Sequence, residues 1–181
     1  SNFLAHGLLT LAEALQAEGW TTGGFSCNTL ISNSRNFSQG FELFRDYRWK
    51  NAAGMLDQVE EWIAANRASR FFAYLHLIDP HGPYVPEEPY RSRFASNVPA
   101  DHETQPSNIM DGFWKGQRFE PGWLEEYARL SRQLYDGEVA WLDDLLGHLF
   151  ARLEELGLLE DTVIALTSDH GEEFMDHGLL G

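Results

Sequence analysis

Apolar residues at Leu8, Leu11, Ala12 and Leu15, stopped by Gly19, keep a three-four spacing that predicts an amphipathic helix over Leu8–Glu18. Trp20–Phe25 is short and rich in β-formers, loosened by Gly23 and Gly24, and predicts a strand. Ser26–Asn51 holds no period and predicts an irregular connection, polar at first and then aromatic (Phe37, Phe41, Phe44, Tyr47, Trp49). Met55, Leu56, Val59, Trp62 and Ile63 restore the helical period and predict a helix from about Ala52 to Asn66. Phe71–Ile78 is apolar without alternation, as expected for a strand covered on both faces. Residues 79–122 are proline-rich with little periodicity and predict a long loop or insertion, a kind of segment that is usually functional. A stripe from Tyr127 through Leu134, Leu142 and Leu149 to Leu156 predicts the longest helix, Trp123–Leu156, ended by Gly157. Thr162–Thr167 then predicts another buried strand.

Alternating helices and strands predict an α/β fold with a three-stranded parallel sheet flanked by helices, in one domain over residues 1–181. Three strands leave two open edges, so the sheet is expected to be incomplete.

Thirteen basic against 28 acidic side chains give a net charge of −15, which argues against nucleic acid as a partner. The acid concentrates in 151–181, where the stretch from Asp169 to Asp176 would attract cations. No apolar run has the length of a membrane span. The N-terminus shows no basic-then-apolar signal pattern, and a first residue of Ser1 in place of methionine suggests a processed or cut piece. Cys27 stands alone, so no internal disulfide or thiolate zinc cluster is expected.

Chemistry concentrates where two apolar runs end. Ser168-Asp169-His170-Gly171-Glu172 follows the second run and sets a carboxylate beside an imidazole, both able to bind a divalent cation. Asp79-Pro80-His81-Gly82-Pro83-Tyr84 follows the first run, and its prolines force a rigid loop that cannot continue a strand. Ligands collect beyond the carboxyl ends of parallel strands, so His81, Asp169 and His170 are expected at one cavity. His76, among apolar residues, reads as a satisfied core histidine. Oxygen plus nitrogen ligation leaves calcium, manganese and zinc all open.

These motifs, with His6-Gly7, Thr10–Leu15, Gln39-Gly40-Phe41 and Tyr135-Asp136-Gly137-Glu138, resemble a sulfatase of the alkaline-phosphatase superfamily. The resemblance spans about two thirds of the chain in the family's order and leaves 95–122 unmatched. It implies an alkaline-phosphatase-like fold and hydrolysis of sulfate esters, of small molecules or glycans. It implies that Asp169 and His170 bind a divalent metal, calcium in most members, and that His81 contacts the sulfate and acts in catalysis. His177, in Asp176-His177-Gly178, is a second candidate for substrate contact, with a structural role in its loop equally open. An extracytoplasmic location fits the family. The chain departs from the pattern in having neither the early pair of metal-binding aspartates nor a Cys/Ser-x-Pro-x-Arg motif, whose first residue becomes the formylglycine nucleophile. The isolated chain is therefore expected to be an inactive fragment of a sulfatase. A related metal-dependent phosphoesterase or phosphotransferase and an inert structural module are the alternatives.

Overall fold

The computed structural model describes residues 3–48 and 52–180. These fall into two compact units, one drawn from residues 1–78 with 145–162 and the other from 79–144 with 163–181.

The first unit is built on a parallel sheet of three strands in the order β2-β1-β3. β1 (Thr21–Ser26) lies between β2 (Leu43–Asp46) and β3 (Phe71–His76), with Gly23 opposite Leu43 and Thr21 opposite Phe71. The two glycines of β1, which read as loosening in the sequence, have a packing reason. A Cβ on Gly23 would lie 2.7 Å from the Trp62 ring, and one on Gly24 would lie 2.5 Å from the Phe44 ring. Bare backbone lets aromatic rings seat on the central strand. On one face Trp62, from α2 (Ala52–Ala65), meets Phe25 and Phe71 edge-on at 5.8 and 5.9 Å. Phe41 joins Phe44, Phe72 and Tyr74 in a second aromatic group. Met55, Leu56, Val59 and Ile63 of α2 are buried, as their spacing predicts.

α1 (Leu11–Ala17) begins later than its apolar pattern suggests. Thr10 and Glu13 form a capping box: the Thr10 amide donates to Glu13 at 2.9 Å, and the Glu13 amide donates to the Thr10 hydroxyl at 3.1 Å. That closes the helix start at Leu11 and leaves Leu8 outside it.

Two strand assignments need correction. β2 lies within the stretch expected to be irregular, whose residues 49–51, Trp49 among them, fall outside the described residues. Four residues without alternation carry no strand signal of their own; pairing with β1 makes them one. Conversely, Thr162–Thr167 is not a strand, and no ladder among the described residues includes it. Val163 and Leu166 are 96% and 72% exposed. An apolar run becomes a strand only when a neighbour takes up its backbone groups, and here none does.

The second unit holds α3 (Tyr90–Phe94), α4 (Pro106–Trp114) and residues 123–144 of α5 (Trp123–Glu155). The stretch 79–122 is thus a loop interrupted by two helices, not a loop throughout. α4 opens on Pro106, where a missing amide proton costs nothing. Tyr84, Val98, Tyr127, Leu134 and Phe174 form the core of this unit. The buried stripe of α5 there runs Tyr127, Ser131, Leu134, Glu138, so two of its members are polar.

Candidate functional site

All four candidate site residues lie in the second unit. The loop after β3 that carries His81 is held at three points. The Tyr84 amide donates to the Thr104 carbonyl at 2.9 Å, and the Val85 amide donates to Glu138 Oε1 at 2.6 Å. The Tyr84 hydroxyl donates to Glu172 Oε2. Tyr84 is fully buried, with Tyr135 and Phe174 each 5.8 Å from its ring. Burial and the Glu172 hydrogen bond both push its phenol pKa upward, so it stays a donor. Next along the loop, Pro86 presses against α5 at Gly137, where a Cβ would come within 3.0 Å of a proline carbon. A mid-helix glycine permits this approach.

His81 lines an open cavity of about 320 Å³ with Glu172, Gln105, Ser107, Met110 and Trp114. The wall opposite the loop is therefore α4, from the stretch that matched no family motif. His81 Nδ1 lies 2.7 Å from the Gly82 carbonyl, which makes Nδ1 the protonated ring nitrogen. The structure brings His81 and Glu172 to one cavity. Asp169 and His170 are not among its lining residues, although they precede Glu172 by three and two positions.

Asp169 and His170 are exposed, their side chains 76% and 66% accessible. Their hydrogen bonds are local: the His170 amide donates to Asp169 Oδ1 at 3.0 Å, and His170 Nδ1 meets the Gly171 carbonyl at 2.6 Å. Ser168 donates its hydroxyl to the His170 carbonyl. The Gly171 bond and then the Asp169 charge raise the His170 pKa. The donor set nevertheless suits a divalent metal. With Nδ1–H given to Gly171, Nε2 presents its lone pair, and it stands 3.9 Å from Asp169 Oδ2. A ligating histidine ordinarily spends its other ring nitrogen in this way. Two donors are a partial shell; among the described residues no group of three His, Cys, Asp or Glu side chains is gathered.

His177 is tied to Glu173, its amide at 2.5 Å from Oε1 and its Nδ1 at 2.9 Å from Oε2. This pairing raises the His177 pKa and lowers that of Glu173. His76 closes β3 and has both ring nitrogens engaged, Nδ1 with the Tyr74 hydroxyl at 2.9 Å and Nε2 with Asn28 at 3.2 Å. Cys27 is buried against Met55. Sequence reasoning gave no role to Glu138 or Glu172. Glu138 has a legible signal, because it stands four residues after Leu134 on the apolar stripe.

The sulfatase family model matches residues 2–181, and the chain belongs to that family. The "Multifunctional alkaline phosphatase superfamily protein PehA" of Trinickia caryophylli is 36% identical over 61% of this chain and 25% of its own length. Arylsulfatase K of Xenopus laevis is 33% identical over 71% of this chain and 27% of its own. Iduronate 2-sulfatase of Mus musculus is 43% identical over 30% of this chain and 10% of its own. The chain thus spans about a quarter or less of the length of these relatives.

Proposed function

We propose that this chain supplies part of the active centre of a metal-dependent sulfatase that cleaves sulfate esters of small molecules or glycans. The family match along nearly the whole chain supports this reading, together with the position of His81 in an open cavity beside Glu172. Asp169 and His170 would hold the divalent ion, with calcium the first candidate. When bound, such an ion supplies Lewis-acid charge to a sulfate oxygen. His81 contacts the sulfate group: with Nδ1–H donated to the Gly82 carbonyl, its ring is held in place to meet a sulfate oxygen or the departing oxygen. Gln105, just before α4, and Ser107 within it provide amide and hydroxyl groups for the alcohol portion of the ester. The nucleophile in this reading is a formylglycine, and the 181 residues contain no Cys/Ser-x-Pro-x-Arg from which to make it. An extracytoplasmic site of action belongs to the same reading.

One observation favours a second reading. The PehA relative is named for the alkaline-phosphatase superfamily as a whole, which keeps a metal-dependent phosphoesterase in view. The test is turnover of an aryl sulfate and of the matching aryl phosphate by the whole protein, each with and without chelator. Chelator-sensitive turnover of the sulfate is expected to dominate. Chelator-sensitive turnover of the phosphate alone would replace the sulfatase reading with the second one.

A further inference from the structure

Among the described residues, Glu138 is the one acidic or basic side chain that is buried, at 5% exposure. Its Oε1 accepts the Val85 amide at 2.6 Å, while Oε2 is buried without a hydrogen-bond partner. A carboxylate in this position would strand acceptor sites that water normally fills, which is costly. The titratable groups that face it do not offset a charge. They are Asp79 and Tyr84 from the loop and Tyr135 from its own helix, and Asp79 adds like charge. Burial raises the Glu138 carboxyl to about 8, against the opposing pull of the Val85 hydrogen bond.

We propose that Glu138 is the positioning residue of the His81 loop: in its neutral form the buried carboxyl holds the Val85 amide and fixes residues 79–86, and its ionisation releases them. An ionised Glu138 needs water at Oε2, and water reaches that atom only if the carboxyl or the loop moves outward. Val85 stands four residues after His81, with Pro83 between them and Pro86 seated on Gly137. A segment this restricted moves as a piece, so freeing Val85 displaces His81. The link to turnover rests on the sulfatase reading; the hold on the loop does not.

The experiment is hydrogen exchange at the Val85 amide in the whole protein, corrected for its intrinsic rate and followed from pH 6 to pH 9.5. In the wild type, protection is expected to hold to neutral pH and then fall by at least about tenfold. Glu138→Gln, which keeps the acceptor and cannot ionise, should retain protection across the whole range. Glu138→Ala should lose it throughout, and circular dichroism checks that this variant is folded. In parallel, the alkaline limb of kcat/KM for an aryl sulfate should move upward by at least about one pH unit in Glu138→Gln. Wild-type protection that is equal at both ends of the range, or a Gln variant as unprotected as the Ala variant, would overturn the proposal. A whole protein without sulfate-ester turnover would end the sulfatase reading, and the exchange result would still decide this one.

Discussion

The loop carrying His81 and the segment carrying Asp169 and His170 both follow apolar runs, yet they differ in what holds them. The first is bonded to Thr104, Glu138 and Glu172, and its Tyr84 is wholly buried. The second is exposed, with hydrogen bonds that reach no further than its own neighbours until Glu172 accepts from Tyr84. A histidine meant to meet an anion must be placed before the anion arrives, because catalytic groups gain from fixed geometry. A pair of ligands can be ordered by the ion itself, whose binding energy then contributes to folding. Under the function proposed above, this difference is a division of labour: the protein positions His81, and a bound metal would position Asp169 and His170.

The strongest way to break this contrast is to remove the anchor of the first loop. Tyr84→Ala should cost about 3–5 kcal/mol of stability in urea unfolding, as for large buried aromatic truncations. Asp169→Ala should leave the metal-free protein as stable as before. A Tyr84→Ala variant that is equally stable would make the loop no better held than the segment.

Next comes pH. The Glu138 carboxyl is raised from 4.5 to about 8 in the folded chain, so the folded state binds a proton that the unfolded state has lost. Stability therefore falls as pH rises between these two values and is level above the upper one. The expected loss is of the order of 2–4 kcal/mol, and Glu138→Gln should abolish this slope.

A smaller effect sharpens the account of Pro86. Gly147 of α5 has open space where an added methyl would sit, whereas at Gly137 the methyl would press on Pro86. Gly147→Ala should stabilise by up to about 1 kcal/mol. Gly137→Ala should show no such gain, since crowding offsets it. Equal gains at both positions would mean that Pro86 does not seat on the helix. Smallest of all, His177→Ala should leave unfolding within error of wild type, because its contact with Glu173 is at the surface.

Much of this architecture was legible in the sequence. The periods of α2 and α5 gave both helices nearly to their ends, and the apolar run at Phe71 gave β3. The parallel sheet flanked by helices followed from their order. β2 was hidden because four residues have no period, and a strand of that length exists only through its partner. Thr162–Thr167 misled for the opposite reason, since an apolar run reports a wish for burial and not its fulfilment. At the site, His81, Asp169 and His170 were selected by residue type at the ends of apolar runs. Glu138 and Glu172 stand in motifs that carry the family likeness, yet only structure gives them roles: Glu138 through its place on the buried stripe of α5, and Glu172 through its hydrogen bond from Tyr84. α4, the far wall of the cavity, was invisible because prolines and glycines around it masked one short helical period.

Metal content bears most directly on the central claim, that Asp169 and His170 are the ligands of a sulfatase active centre and His81 its separately held substrate contact. The whole protein is purified with calcium and dialysed, and bound metal is measured in wild type, Asp169→Ala, His170→Ala and His81→Ala. Stoichiometric metal is expected in the wild type and in His81→Ala, with loss in the other two. Full metal retained by Asp169→Ala, or lost from His81→Ala, would contradict the account.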